Sequence, residues 1–516
     1  MISHQKQNFT QQAYFKSTII LLSILVYYFY SFGRYDLPTT DEDVFLNDGI
    51  NLSLPMANMG NLLYLSWIKI LSFFISDPLK LIFTNFFLLS TGVFVLLIFF
   101  LNTYIKNFYT SFFISLLFLF SGFQISIFPK ITFLNLVIIL STIILIDPKR
   151  KKSINLALLA LGFLLNIYVS RPEYLWIFPF VFLALIFFAK KENKLSIVFY
   201  LSGLLILLYI VGGGIYPKGM LKANFIMHFF DNYEAWTGKH LDLNDEFIQF
   251  EKLFGKVNYE IQLITSNPVM FLKHVLSNIT GLAKEILIFL KSIFYDVFVS
   301  IFKSKTKYFV AALVFYFLLA IDFKASSKKI RIPKPDTYLV LIFLPALLLI
   351  LVVFPRQHFV LLLMPLILLA TGFFTEFLVW RKQLKLTRHL VSGTLLLGLA
   401  MGFPFKSQHP NNVDFYKKMK ELGERNSLVL LSHDDFGFNF YKTNFNRFNW
   451  IPEKDNIDTL TKKHDADIIC LFRLDMENPS SREFLKQNHD GYVRVSQFDT
   501  LQRYIWVKPG LETAFK

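Results

Sequence analysis

Three short stretches of this sequence hold charged side chains of types that could do chemistry together. The first is the acidic run Asp41, Glu42 and Asp43 within PTTDEDVFLNDG (38–49), which follows soon after an uncharged stretch at 17–30. The second is SRPEY (170–174), with Arg171 and Glu173, and the third is FPRQHF (354–359), with Arg356 and His358. Lys130, in FPKITF, joins them. A guanidinium matches phosphate oxygens two at a time, which suits Arg171 and Arg356 to gripping a phosphate. A carboxylate such as Asp41 can take the proton of an attacking hydroxyl. A phosphate leaving group needs no proton where cations stabilise the charge it develops. Each group also has a plainer reading. The acidic run could be a solvated loop, Arg171 and Arg356 could be interfacial anchors, and His358 could be a packing residue. The case for joint chemistry rests on whether the surrounding elements bring the groups to one surface.

Those elements are apolar. Of 516 residues, 54% are hydrophobic and 61 are Phe, with a mean hydropathy of +0.46. Soluble domains carry roughly 45–50% apolar residues, and a helix crosses a bilayer with about 20. Apolar runs of about that length recur at 17–33, 79–101, 108–128, 131–146, 153–169, 173–189, 195–216, 306–322, 337–354, 358–379 and 387–404. The expected fold is a polytopic α-helical membrane protein of about eleven spans, with an exact number of eleven or twelve.

The net charge of +16 would suit nucleic acid if it were clustered on one face, but it is spread over short loops. DPKRKK (147–152), KKENK (190–194), RKQLKLTR (381–388) and FKASSKKIRIPKPD (323–336) follow the pattern of cytoplasmic loops under the positive-inside rule. No nucleic-acid partner is expected. This orientation sets the N-terminus in the cytoplasm. It requires the stretch 217–305 to make no net crossing, and KEILIFLKSIFYDVFVSIFK (284–303) reads as a helix lying in the interface. A twelfth span there would reverse everything downstream. MISHQKQNFTQQAYFK precedes the first run without a small-residue cleavage site after it, so that run is read as an uncleaved span. The single Cys470 allows no internal disulfide and fits no metal motif. No cofactor is implied, and a divalent metal would have no motif of its own.

Residues 405–516 differ in kind, being polar with alternating strand-like and helix-like pieces. SLVLLS (427–432) and ADIICLF (466–472) read as buried strands, VDFYKKMKELGE (413–424) and SREFLKQN (481–488) as amphipathic helices, and 492–508 as a hairpin. The expected organisation is a transmembrane domain, 1–404, with outer loops 34–78 and 217–305 containing interfacial helices, followed by a small α/β domain, 405–516, outside the cytoplasm. With that topology the acidic run, Lys130, Arg171, Glu173, Arg356 and His358 all fall on the outer face. Ionisable groups at a membrane boundary are costly to desolvate and point to function.

At these residues the chain resembles the GT-C superfamily of polyprenyl-phosphate-sugar glycosyltransferases, among them the aminoarabinose transferases of lipid A and the protein O-mannosyltransferases. The matching features are Asp41-Glu42 in the first outer loop and LPMANMGNLLYLSWIKIL (54–71) as the helix after it. PRQHFVLLLMPL as an Arg-bearing loop directly before a span and the outer C-terminal domain also match. Two positions depart from the family pattern. Met59, Gly60 and Asn61 stand where many members have a phosphate-holding Lys, and Asn135 stands where many have an Asp. The resemblance implies a GT-C-like membrane enzyme of the bacterial inner (plasma) membrane. It would transfer a hexose or pentose from a lipid-linked donor, an undecaprenyl phosphate sugar, to a glycan, glycolipid or protein acceptor on the periplasmic or extracellular side. Asp41 would then be the general base, with Glu42 positioning acceptor or donor. Lys130, Arg171, Glu173, Arg356 and His358 would hold the donor phosphate and sugar. Two other readings stay open: an O-antigen-type polymerase or ligase, and a lipid or glycan transporter without enzymatic activity.

Overall fold

The structure is a computed structural model that describes residues 2–32, 41–53, 61–121, 130–211, 220–239, 243–257, 261–296, 336–377, 412–425, 429–432, 445, 447–450, 457–472, 491–497 and 503–515. The apolar runs within these ranges are helical. They form α1 (Ile2–Phe32), α2 (Asp41–Ile50), α3 (Leu62–Phe74), α4 (Pro78–Tyr104), α5 (Phe108–Leu119), α6 (Ile131–Leu145) and α7 (Lys152–Val169). After a 3-10 turn at Pro172–Trp176 come α8 (Phe178–Lys191) and α9 (Leu195–Val211). The polar middle of the chain gives α10 (Met220–Thr237), α11 (Leu243–Phe254), α12 (Ile261–Ser266) and α13 (Pro268–Leu290), and the apolar pattern resumes in α14 (Thr337–Val352) and α15 (Gln357–Phe377). The expected spans at 306–322 and 387–404 lie outside the described residues.

Local chemistry sets where several of these helices begin. Asp77 accepts hydrogen bonds from the amides of Leu79 and Lys80, with Pro78 opening α4. Asn107 does the same for α5 and Asp336 for α14. A side-chain acceptor at the cap satisfies amides that have no partner in the helix, and proline at the first position gives up no bond. Asn267 and Pro268 start α13 in this way, so the helix expected from 284 in fact begins sixteen residues earlier and ends in a π turn, Lys291–Asp296. Glu173, expected to start a span, lies in the 3-10 turn ahead of α8.

Among the described residues, three helices are long and apolar enough to cross a membrane: Pro78–Tyr104, Lys152–Val169 and Gln357–Thr375. Shorter apolar helices, including those at Phe108–Leu119, Ile131–Leu145, Leu195–Val211 and Thr337–Val352, pack around them. α4 lies against α5 and α6, α7 against α6 and α8, and α14 against α13 and α15. The α6–α7 approach is close. A Cβ at Gly162 would come within 2.4 Å of the Thr142 hydroxyl. Large apolar side chains such as Phe180, Leu183 and Phe187 on α8, and Phe199, Ile206 and Ile210 on α9, stand exposed. Apolar area of this extent has no favourable partner in water. The make-up is that of a helical membrane protein.

α10 to α13 build a second core from Phe225, Phe229, Phe230, Phe250, Phe254 and Leu263. Towards the C-terminus, α16 (Asn412–Arg425) precedes a five-stranded sheet of β1 (Val429–Ser432), β2 (Arg447–Trp450), β3 (Ile468–Phe472), β4 (Val493–Val495) and β5 (Arg503–Val507), with α17 (Ile457–His464) between β2 and β3. The strand order is β2-β1-β3-β5-β4. β1 runs parallel to β2 and β3, while β5 is antiparallel to β3 and β4. The two strands and the hairpin expected here are present. The helix expected at 481–488 lies outside the described residues.

A candidate anion site at one end of the bundle

Where α7 ends, the amides of Ser170 and Arg171 both return to the Asn166 carbonyl, at 3.2 and 3.0 Å. Pro172 then opens the 3-10 turn. This tight closure holds Arg171, Glu173 and Tyr174 inside the protein, each nearly inaccessible to solvent. The Arg171 guanidinium donates from Nη2 to the Thr132 hydroxyl at 3.0 Å, and its carbon sits 5.0 Å above the Phe359 ring. Its Nε has no acceptor among the described residues. Thr132 lies two residues after Lys130, which is itself buried with its ammonium 4.3 Å from the Phe86 ring and 4.5 Å from Phe133. Ser170 takes a 3.2 Å bond from Asn135 on α6, and the Asn135 side-chain oxygen has no donor among the described residues. Phe359 brings in the neighbouring His358, whose ring centre is 4.2 Å from that of Phe359. His358 lies within electrostatic reach of both Arg171 and Arg356.

The α14–α15 turn is built by backbone. The Arg356 amide bonds to the Phe354 carbonyl at 2.9 Å, and the Arg356 carbonyl accepts from Phe359 and Val360 at 2.9 and 3.0 Å, opening α15. The Arg356 side chain is exposed, so its fork of donors points to solvent at the rim while Arg171 and Lys130 lie inside.

The electrostatics of this group are unbalanced. A buried guanidinium stays charged and requires compensation. The carboxylate nearest in sequence is Glu173, but no ion pair between it and Arg171 occurs among the described residues. Burial pushes the Glu173 carboxyl up to about 7, with the Arg171 charge pulling the other way. Among the described residues, one of its oxygens has no hydrogen-bond donor and the buried Tyr174 hydroxyl has no partner. Among the described residues the Arg171 guanidinium is therefore left without an ion-pair partner and with an unused donor at Nε. An anion entering between Arg171 and Arg356 would supply the missing charge. Among the described residues, no group of three or more His, Cys, Asp or Glu is arranged to hold a metal ion.

Of the residues expected from sequence, Arg171, Glu173 and His358 gather here, with Arg356 at the rim; Lys130 stands two residues before Thr132 with its ammonium over Phe86 and Phe133. Asp41 and Glu42 are placed by backbone alone, in the first turn of α2; their side chains lie outside the described residues. That turn is helical where a loop was expected, and a helix N-terminus favours acidic residues through its dipole. α2 packs on α3. A Cβ at Gly49 would come within 2.6 Å of Ile68, and Lys69 bonds to the Ile50 carbonyl at 2.6 Å. Thr132, Tyr174 and, across the α14–α15 turn, His228 with Asp231 were not anticipated. The i, i+3 spacing of His228 and Asp231 in IMHFFDNY was the available signal.

The class defined by fold and site is a helical membrane protein with buried cationic side chains, Arg171 and Lys130, at its helix ends. No protein-family model matches the chain, and neither a curated protein nor a solved structure matches it.

Proposed function

We propose that this protein is a membrane glycosyltransferase of the GT-C type. It would move a sugar from a polyprenyl-phosphate donor, an undecaprenyl phosphate sugar, to a cell-envelope glycan, glycolipid or protein. The observation that carries the reading is the buried Arg171, whose Nε has no acceptor among the described residues, with Lys130 two residues before its Thr132 partner in the sequence and Arg356 at the rim. Cations fixed in a low-dielectric setting stabilise a departing phosphate strongly, because no solvent must reorganise as the charge develops.

In the proposed reaction, Arg171, Arg356 and Lys130 bind the donor phosphate, and His358 and Glu173 line the sugar side. Asp41 accepts the acceptor hydroxyl's proton while Glu42 orients the acceptor. The hydroxyl oxygen bonds to the anomeric carbon, and the bond from that carbon to the phosphate oxygen breaks. The electron pair leaves with the polyprenyl phosphate. About eleven spans in the bacterial inner membrane, with a cytoplasmic N-terminus, would set this site and residues 405–516 on the periplasmic side. The Lys420–Asp77 ion pair supports that arrangement, since it joins α16 to the end of α4 that follows the first outer loop. A transporter would call for ionisable groups in mid-span, whereas Arg171 and Lys130 stand at helix ends.

The test is transfer by the purified protein in lipid nanodiscs with a panel of polyprenyl-phosphate sugars, alongside mass spectrometry of envelope glycans with and without the gene. Loss of a defined sugar on deletion and turnover of the matching donor are expected. Unchanged glycans together with no turnover across the panel would refute the reading.

A further inference from the structure

The proposed site as expected from sequence leaves unused a buried imidazole on α10. His228 is almost fully enclosed, with a relative side-chain exposure of 4%. Its Nδ1 lies 2.8 Å from the Asp231 carboxylate, one helical turn on. Its Nε2 makes no hydrogen bond among the described residues. The ring lies flat on Phe354, with centroids 5.2 Å apart and planes 20° from parallel. Phe354 belongs to the turn whose backbone fixes Arg356. His228 also acts electrostatically on His358, so α10 brings it to the same side of that turn as the anion site.

The neighbouring groups define what this imidazole can do. A carboxylate at Nδ1 fixes the proton there and directs Nε2 away from it. In the neutral ring that leaves Nε2 an acceptor; a phosphate oxygen at Nε2 would be met by the doubly protonated ring, in which both nitrogens donate. The other titratable neighbour, His274 on α13, is committed elsewhere. Its Nε2 meets the Val352 and Val353 carbonyls at 3.1 and 2.9 Å, and its Nδ1 meets Asn232 at 3.0 Å. That network, completed by Asn278, anchors the end of α14. Of the two buried histidines, His228 alone keeps a ring nitrogen uncommitted among the described residues.

Building on the phosphate-lipid reading of the site, we infer that His228, held by Asp231, is a further ligand for the lipid phosphate and donates from Nε2 to an oxygen that Arg171 and Arg356 do not cover. α10 thereby becomes part of the donor site, and Asp231, which is half exposed, is a positioning residue acting through His228.

The experiment measures binding of undecaprenyl phosphate, of undecaprenol and of inorganic phosphate to the full chain in nanodiscs, for wild type, His228→Gln and Asp231→Asn. Loss of a hydrogen bond to a charged group should weaken undecaprenyl phosphate binding about ten- to hundredfold in His228→Gln, and less in Asp231→Asn. Undecaprenol, which has no phosphate, should bind all three alike, a selectivity that a purely packing role for His228 would not produce. Competition by inorganic phosphate alone, without a lipid requirement, would mark the ligand as free phosphate. Asp231→Asn alters a surface side chain, so its effect can be read even if His228→Gln folds poorly. In a second arm, carbethoxylation of the wild-type imidazole should occur at His228 and be blocked by undecaprenyl phosphate. Binding within twofold of wild type in both variants, or equal losses for phosphate and alcohol, would overturn the inference. A wild type with no preference for undecaprenyl phosphate over undecaprenol would instead overturn the phosphate-lipid reading beneath it.

Discussion

Lys420 on α16 and Asp77 at the start of α4 meet at 2.5 Å although 343 residues separate them in the sequence. Asp77 has two tasks, because its other oxygen caps α4 through the amides of Leu79 and Lys80. Burial raises its carboxyl, but the Lys420 ammonium and those amides outweigh burial and hold it below the ordinary carboxylate value. A lowered folded-state value gives stability that is present above the unfolded value, near pH 4, and is lost as pH falls through the folded one. Asp77→Asn keeps a cap acceptor and removes the charge, so it should cost the docking of α16 up to about 1 kcal/mol, the range for a partly exposed pair. Asp77→Ala should cost about 1 kcal/mol more through the lost cap. Hydrogen exchange in α16 is the measurement. It should quicken a few-fold in Asp77→Asn at neutral pH and in wild type below pH 4, and unchanged exchange would show that the pair does no docking.

Gly281 on α13 lies under the turn that carries Arg356. A Cβ there would stand 2.6 Å from Cγ of Pro355, whose buried ring cannot swing aside. Alanine at this helical position gains propensity, worth roughly 1 kcal/mol, but it must displace Pro355. Overpacking a close-packed interior typically costs about 1–3 kcal/mol. The net expectation for Gly281→Ala is a small loss of thermal stability together with a clear loss of donor affinity, because Arg356 follows Pro355. Affinity equal to wild type would mean that the turn's position does not govern binding.

Glu173 gives the site its pH dependence. Its carboxyl is raised to about 7 by burial, against an ordinary value of 4.5. Between these values the folded protein holds a proton that the unfolded chain has released, so stability is fullest below pH 4.5 and falls as pH rises to about 7. At about 1.4 kcal/mol per decade, the gap amounts to roughly 3 kcal/mol. Glu173→Gln removes this penalty. Thermal shift assays should show the variant more stable than wild type at pH 8 and nearly equal to it at pH 4.5. A difference independent of pH would show that Glu173 does not titrate in this window.

Arg356 should be sensitive to the shape of its side chain as well as its charge. Arg356→Lys keeps the positive charge but loses the planar fork that matches two phosphate oxygens. Its exposed side chain makes truncation cheap for folding, so Arg356→Ala should leave melting behaviour within about 0.5 kcal/mol of wild type. Donor use should fall in the order wild type, lysine, alanine. Turnover unchanged in both variants at equal abundance would reduce Arg356 to an interfacial anchor.

How much of this was legible in the sequence depends on the scale of the signal. Long apolar runs announce membrane helices because a bilayer demands about 20 residues of one character, and α4, α7 and α15 follow those runs closely. Arg171 and Glu173 stood out because charge beside a span is rare. β1 and β3 were visible as short apolar runs, whereas β2 (RFNW) was not, since half its residues are polar. The contacts that complete the site were hidden. Thr132 looks like any span threonine until Arg171 folds onto it, and His228 lies in a polar stretch whose helices are fixed by their Phe-rich core rather than by a bilayer. Tertiary packing, not local pattern, puts His228 against Phe354.

The acidic run is the last place where sequence and structure bear on one prediction. Asp41, Glu42 and Asp43 occupy the first turn of α2, a position where acidic residues in general favour a helix by roughly 0.3–1 kcal/mol. Asp41→Asn, Glu42→Gln and Asp43→Asn should therefore lower stability by similar small amounts, and melting cannot separate a catalytic carboxylate from its neighbours. Transfer can. Losing a general base typically costs about a hundred- to ten-thousand-fold in rate, while a neighbour that only favours the helix end costs almost nothing in turnover. Asp41→Asn should abolish transfer with undecaprenyl phosphate binding intact, since the proposed phosphate ligands Arg171, Arg356 and Lys130 belong to other elements. Glu42→Gln should lose part of the rate, and Asp43→Asn little. Parallel assays of turnover and donor binding on the three purified variants decide the matter. Equal, small effects at all three positions would leave the run as a helix start and nothing more. Loss of donor binding together with turnover in Asp41→Asn would move that residue from the acceptor side of the site to the donor side.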